Sequence, residues 1–402
     1  MIIVGAGASG MLAAITARKQ GADVILLEQN PKVGKKILST GNGRCNFTNL
    51  AQEPIFYHSD NLHFPWKIIE RFTMQDTLRF FQNLGIYSKN RNGYMYPNSE
   101  QATSILESLR LCIEQLRIPV ITDAKVQEIV SDTNLFRIQT FDKSYTAERV
   151  ILACGSKASQ VAGSDGSGYT LASNLGHSLI PVLPALVQLQ CAENFYKQLA
   201  GVRVEGRVSL FVEEECVAED TGEIQLTNYG ISGIPVFQIS RYAAIARHER
   251  QEVYASIDFM QHFSTEQLYN FLKKRSADLS YRSIETFLVG VFPSKLGDVI
   301  LTRCHIDQQK QITELLDMQL HALVDMIKCF KTTIVGTNPY EQAQVCRGGV
   351  NTEEVHGETL ESKKIPGLYF AGEILDVDGM CGGYNLQWAW SSGYVAGIEA
   401  AK

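Results

Sequence analysis

An α/β fold is predicted for this chain: a parallel-sheet domain in two sequence segments, with an inserted small β-barrel and a helical cap between them. Three observations predict it. The chain opens as strand, glycine-rich turn, helix and strand, the order of a βαβ unit. After Pro184 the pattern changes to short alternating runs parted by turn residues, and then to helical sequence. Near the end an apolar strand returns in "GLYFAGEIL", followed by a long final helix.

Taken in order, Ile2 to Val4 reads as a buried strand, Ser9 to Gln20 as a helix stopped by Gly21, and Asp23 to Leu27 as a second strand closed by Glu28. Residues 66–84 and 100–117 have helical spacing. "VITDAKVQEIV" and "FRIQTFD" alternate as paired strands do, and "RVILACG" is apolar throughout, as in a parallel sheet. Residues 1–187 therefore make the first segment of the nucleotide-binding domain. Residues 188–256 ("VQLQC", "VRVEGRVSLFVEE", "GEIQLTN") make the barrel. Residues 257–329 make the helical cap, in which Ser264 precedes Glu266 and Gln267 as a helix start. Residues 330–402 supply the returning barrel strand "FKTTIVGT" and the second segment of the domain, with its last helix starting near Leu386.

Composition narrows the class. At 402 residues two or three domains are expected, and 45% hydrophobic with 20% charged residues is the balance of a globular enzyme. A net charge of −6 argues against a nucleic-acid surface. Lys273-Lys274-Arg275 is the longest basic run and reads as a solvated helix face. Nine scattered cysteines without a CxxC pair suit reduced thiols in a cytoplasm. The apolar start lacks the basic region of a signal peptide, and no apolar run is long enough to predict a membrane span. The eight histidines show no ligand spacing, so no metal is expected.

The chemistry starts at "VGAGASG". Gly5 permits a tight turn, Gly7 lets backbone approach a pyrophosphate, and Gly10 lets helix and strand pack closely. The helix start at Ala8 and Ser9 offers free N–H groups to phosphates. Glu28, followed by Gln29, is placed to accept from ribose hydroxyls, which a packing turn does not explain. The loop "GKKILSTGNGRCNFTN" begins a few residues later, at the same edge of the sheet. Its glycines, amides, Lys36 and Arg44 match phosphate or flavin oxygens. A nicotinamide dehydrogenase does not usually continue this way; FAD is longer and needs a second contact surface. In "GLYFAGEILDVDGMCGGYNLQWAWSSGYVAG" the strand ends at Gly372-Glu373, with Asp376 beyond. A Gly382-Gly383 turn then opens a helix whose N-terminus suits the flavin O2 side. Cys45 and Cys381 read as packing or hydrogen-bonding residues, and "GSDGSG" (163–168) as a turn returning the chain to this domain.

With these stretches, together with "ILACGSKASQVAGSDGSGY" and "LTNYGISGIPVFQISR", the chain resembles over nearly its whole length the HI-type, aminoacetone-oxidase-like bacterial FAD-binding flavoproteins. Bile-acid 3-dehydro-Δ4,6-reductases of gut anaerobes belong to that family. The GRCN and GGYN signatures are specific to it; GxGxxG is not. The resemblance implies a Rossmann-like FAD-binding domain. It implies FAD contacts from Gly41, Asn42, Gly43, Arg44, Cys45 and Asn46, and from Gly382, Gly383, Tyr384, Asn385 and Leu386. Val126 would meet the adenine through its backbone, and Ala153 to Gly155 would line the nucleotide. Arg347, in "VCRGGV", stands where a small residue is expected; it shapes the substrate side or is exposed.

The expected chemistry is hydride or electron transfer through FAD, with the protein supplying position and electrostatics. No second GxGxxG domain is present for a resident NAD(P)H, so the reductant visits the substrate cleft or oxygen takes the electrons. Three readings are expected to compete. They are NAD(P)H-driven reduction of a conjugated C=C in an apolar enone, an oxygen-using amine oxidase, and a flavin-binding regulatory or RNA-associated protein, against which the acidity counts. Arg44, Cys45, Arg347 and Tyr384 are the candidates for catalysis, and the substrate is a small molecule.

Overall fold

Five short strands pair in parallel, in the order Leu368–Phe370, Val150–Leu152, Ile2–Val4, Ile25–Leu27, Val120–Ile121. Ile2 faces Val150 on one side and Ile25 on the other, and Val150 faces Leu368. The strands Leu368–Phe370, Val150–Leu152 and Ile2–Val4 are buried along their whole length, which explains their unbroken apolar sequence. A strand from the C-terminal segment thus sits at one side of a sheet begun at residue 2, as expected of a Rossmann-like α/β fold. The computed structural model describes residues 1–132, 135–159 and 163–402. Residues 160–162 of the quoted run "ILACGSKASQVAGSDGSGY" lie outside the described residues.

The chain divides into two compact units, Met1–Leu183 with Gln344–Lys402, and Pro184–Ala343. In the first unit the helix Ala8–Lys19 packs along the terminal helix Tyr384–Ala400. Side chains are absent where they cross: a Cβ on Gly393 would overlap the Ser9 carbonyl, and one on Gly397 would lie 2.5 Å from that of Ala13. The expected helix over 66–84 is two helices, Phe64–Ile69 and Met74–Asn83. Thr73 starts the second: its hydroxyl accepts from Asp76 N at 3.3 Å while the Asp76 carboxylate accepts from Thr73 N at 3.0 Å. "VITDAKVQEIV" is also divided. Val120–Ile121 joins the parallel sheet, and Val126–Asp132 turns away to pair antiparallel with Leu135–Thr140. A small sheet absent from the expectation forms from Thr48–Asn49, Tyr94–Pro97 and Ser88–Arg91.

In the second unit a closed barrel has the order Leu189–Cys191, Gly230–Ser232, Glu215–Leu226, Arg203–Val212, Val253–Asp258, Phe330–Thr337. The last strand is the returning "FKTTIVGT". One stretch read as barrel is a helix, Ile234–His248. Val236, Ile239, Ser240 and Ala243 are buried at helical spacing, and Pro235 sits in its first turn, where a missing N–H costs nothing. Ser264 opens the helix Thr265–Asp278 as expected, accepting from Gln267 N at 3.1 Å, and Ser294–Arg303 and Asp317–Lys328 follow.

Candidate functional site

The first glycine-rich turn has three glycines with three different surroundings. A Cβ on Gly5 would overlap the Ala153 carbonyl, and one on Gly10 would overlap that of Gly5. A Cβ on Gly7 would meet no atom within 4 Å. Gly5 and Gly10 are therefore fixed by packing, and Gly7 faces open space. The first intrahelical donor is Met11, to Gly7 O at 3.0 Å, which leaves the N–H groups of Ala8, Ser9 and Gly10 directed at that space. Gly155, which follows Ala153 beside the same turn, also has nothing within 4 Å of its Cβ position.

Glu28 is buried and already engaged. One carboxylate oxygen accepts from Ala6 N at 2.8 Å; the other accepts from Asn30 N at 2.9 Å and from the Asn30 amide at 2.7 Å. A carboxylate has about four lone-pair sites, so one is left for a ligand hydroxyl rather than a pair. Gln29 donates to Gly163 O at 2.6 Å, drawing the 163–168 turn to this edge. Ala124 N donates to Glu28 O at 2.9 Å and brings Val126 into the same neighbourhood.

The loop after the second strand holds its shape by backbone. Gly41, Asn42, Gly43 and Cys45 all have left-handed φ, between 54° and 83°. Gly41 to Arg44 stay exposed while Cys45 and Asn46 are buried. Burial pushes the Cys45 thiol up to about 12, against a smaller opposing hydrogen bond from Thr40. It is thus a neutral packing group at neutral pH.

The loop is closed onto the C-terminal segment. Thr48 donates to the Gln387 side chain at 2.6 Å, Asn49 donates to Gly382 O at 3.0 Å, and Trp390 donates to Phe47 O at 2.9 Å. A Cβ on Gly383 would stand 2.8 Å from Thr48 backbone and 2.9 Å from Asn46 Oδ1. Asn385 is spent on the turn itself, exchanging hydrogen bonds with Gly379 at 2.8 Å in both directions. The terminal helix makes its first intrahelical bond from Gln387 N to Gly383 O at 3.0 Å, so the N–H groups of Tyr384, Asn385 and Leu386 precede it. Tyr384 is 6% exposed and packs against Phe56 and Tyr57, with ring centroids 4.9 and 5.8 Å away.

Other candidates have partners the sequence did not suggest. Lys36 pairs with Glu373 at 2.6 Å, so its charge is directed to the Gly372-Glu373 turn. Asp376 is fully buried, with one oxygen accepting from Asp60 N at 2.8 Å, so its side chain faces protein. Arg347 is not an exposed surface residue. Its side chain is 11% exposed, pairs with Asp60 at 2.6 Å and donates to Pro181 O at 3.3 Å. Asn49 and Tyr94 were missed as site residues. Asn49 lay inside the quoted loop; for Tyr94 the signal was Asn92-Gly93, a two-residue hairpin turn.

These residues fit FAD. An open glycine position at one helix start suits a pyrophosphate, a buried carboxylate with one free site suits a ribose, and a second helix start with a left-handed loop beside it suits the flavin ring. Among the described residues no cluster could hold a metal ion, and no helix is long and apolar enough to cross a membrane.

The chain matches the HI0933-like protein Rossmann domain over residues 1–399. It is 45% identical over 402 residues, covering all of this chain and 98% of the other, to a protein of Clostridium scindens named 3-dehydro-bile acid delta(4,6)-reductase. It is 31% identical over 408 residues, at the same coverage, to a ribosomal RNA dihydrouridine synthase of Haemophilus influenzae. Its fold is similar, at 11% identity and a TM-score of 0.50 over all of this chain and 98% of the other, to a 3-ketosteroid delta1-dehydrogenase from Sterolibacterium denitrificans. The chain belongs to the HI0933-like family of FAD-binding Rossmann proteins, and its relatives include a reductase.

Proposed function

We propose that this protein is an FAD-dependent oxidoreductase that uses NAD(P)H to reduce a C=C bond conjugated to a carbonyl in an apolar small molecule of the 3-oxo steroid or bile-acid type. The observation that carries this reading is the 45% identity, end to end, to a delta(4,6)-reductase of a 3-dehydro bile acid. When bound, FAD supplies a two-electron carrier that accepts hydride from one partner and gives it to another.

The residues of the first unit bind and orient. The N–H groups from Ala8 to Gly10 compensate phosphate charge, Glu28 takes one ribose hydroxyl, and the N-terminus of the terminal helix favours negative charge developing nearby. Cys45 keeps its proton and packs. Arg44, exposed on the left-handed loop, supplies a cation from a rigid fork of donors.

A second reading has a specific observation behind it. The Haemophilus influenzae relative is named for making dihydrouridine in ribosomal RNA, and forming dihydrouridine also saturates a C=C conjugated to a carbonyl. The reaction class is therefore common to both readings, and the choice lies in substrate size and charge. Residues 184–343 hold fifteen Lys and Arg against twenty Asp and Glu, with Glu213, Glu214 and Glu215 in succession. A phosphate backbone is repelled by that balance, which favours the free small molecule. We expect the protein to work in the cytoplasm, where NAD(P)H is at hand.

The test is anaerobic turnover of the FAD-loaded protein with NADH or NADPH and a 4-en-3-one steroid. Nicotinamide oxidation coupled to a product with two more hydrogens supports the reading. Nicotinamide oxidation without any change in the steroid would refute it.

A further inference from the structure

One face of an exposed hairpin collects cations and aromatic rings. In the pairing of Ser88–Arg91 with Tyr94–Pro97, Lys89 stands opposite Tyr96 and Arg91 opposite Tyr94, so these four side chains share a face. Met95, of the other parity, is buried beneath them. The hairpin packs on both stretches expected to contact the flavin. A Cβ on Gly41 would lie 3.7 Å from the Tyr96 ring, and one on Gly382 would lie 2.8 Å from the Tyr94 ring. The Arg91 guanidinium stands 5.9 Å from the centre of the Tyr96 ring. Arg44 reaches the same ring from its loop: burial raises the Tyr96 phenol above its ordinary value, and the charges of Arg91 and Arg44 oppose that rise. Lys89, at 2.5 Å, and Arg91 both pair with one carboxylate, Glu100, while Arg44 pairs with no acid among the described residues. Three cations therefore share a single acid. All of them stay accessible: the Lys89 and Arg91 side chains are 41% and 43% exposed, and Arg44 is exposed.

We propose that Arg44 and Arg91 seat the phosphate groups of the nicotinamide dinucleotide that reduces the protein. This rests on the reading above that the reductant is NAD(P)H, and deepens it by giving that reductant a place to dock beside the flavin loop. Charge decides the class of occupant. A steroid nucleus is neutral and has no use for two guanidinium groups, whereas a dinucleotide brings an anionic diphosphate, and NADPH a further phosphate. Planar guanidinium forks match phosphate oxygens two at a time. An accessible tyrosine ring with a cation beside it also offers a stacking surface to a base. The uncompensated positive charge has the sign that draws a polyanion from solution. Hydrogen bonds from Lys89 and Arg91 hold the Glu100 carboxyl below its ordinary value, so it stays ionised and competes with the phosphates for both cations. That competition suits a reductant that must leave after each turnover, and the sequence has no second GxGxxG turn to hold one permanently.

The test follows anaerobic reduction of the FAD-loaded protein by NADPH in a stopped-flow instrument. Arg91→Gln should raise the NADPH concentration that half-saturates flavin reduction about tenfold. Its limiting rate should stay near wild type, a split that a misfolded hairpin does not give. Arg44→Gln should raise the half-saturating concentration too, read on protein whose FAD content equals that of wild type. Glu100→Gln releases both cations and should lower it. Arg79→Gln removes a cation from the helix Met74–Asn83, where the side chain is 70% exposed, and should not move it. Reoxidation of reduced Arg91→Gln by a 4-en-3-one steroid should match wild type. Unchanged half-saturation in Arg91→Gln would overturn the proposal and leave the reductase reading standing. Weaker binding of a steroid carboxylate, or of a ribosomal RNA strand, by Arg91→Gln with NADPH unaffected would also overturn it, because the face would then belong to the substrate. If neither NADPH nor NADH reduces wild type, the proposal falls together with the NAD(P)H reading.

Discussion

Asn49 donates its side-chain amide to the carbonyl of Gly382 across 3.0 Å, joining two loops 333 residues apart in sequence. With Thr48 to Gln387, this contact closes the N-terminal loop onto the start of the terminal helix. The two flavin-contacting stretches expected from sequence are in this way one structural feature.

That contact predicts an unusual sensitivity at Gly383. Gly383→Ala places a methyl 2.8 Å from Thr48 backbone, at a residue whose φ of 97° already disfavours side chains. We expect a loss of about 1–3 kcal/mol, measured by denaturant unfolding without cofactor, and weaker FAD binding besides. Asn49→Ala should weaken FAD retention with a smaller stability loss.

The first turn separates folding from binding. Gly10→Ala forces a methyl into the Gly5 carbonyl and should destabilise the cofactor-free protein by more than about 1 kcal/mol. Gly7→Val meets open space, so the cofactor-free protein should melt near wild type, while FAD affinity falls at least tenfold, about 1.4 kcal/mol. Parallel thermal melts and FAD titrations check both.

Glu28→Ala should damage both properties. It strips acceptors from Ala6 N and Asn30 N, at a cost of about 1.5–3 kcal/mol for charge-assisted bonds. Glu28→Gln keeps an acceptor oxygen and should recover part of the stability in the same unfolding experiment.

Much of this architecture was legible because backbone need leaves residue signatures. Glycine spacing at 5, 7 and 10 predicted the turn, in which Gly5 and Gly10 are the two that packing requires, and apolar runs at 2–4, 150–152 and 368–370 predicted a buried parallel sheet. Partnerships were not legible. Nothing in the sequence said that Glu28 would spend most of its acceptors on its own turn, that Lys36 would meet Glu373, or that Arg347 would pair with Asp60. Such pairings depend on where remote chain segments arrive. The helix Ile234–His248 was hidden because residues apolar on several sides leave a weak period.

Thiol chemistry should follow burial. With Cys45 held near 12, its thiolate appears only in strong alkali, so iodoacetamide should label the exposed Cys216 and Cys329 and spare Cys45 from pH 7 to 9. Peptide mass mapping checks this, and Cys45→Ser should turn over at close to the wild-type rate.

Acid should loosen the first unit in two stages. Burial holds His177 below its usual 6.5, so its neutral form contributes stability that is lost as pH falls beneath that value. Burial pushes the Glu354 carboxyl up, but Lys364 at 2.8 Å and Ser178 outweigh it and hold the group at about 2, below its ordinary 4.5. That contribution is present above pH 4.5 and lost as pH falls toward 2. In melts across this range, Glu354→Gln should flatten the lower stage and leave less stability at neutral pH.

The account turns on what receives the hydride. Reduced, FAD-loaded protein should be mixed anaerobically, in separate runs, with a 4-en-3-one steroid and with unmodified ribosomal RNA, following flavin absorbance in a stopped-flow instrument. The account predicts rapid reoxidation by the steroid, with its C=C saturated, and none above background with the RNA. Reoxidation by the RNA with dihydrouridine formed, and none by the steroid, would contradict it.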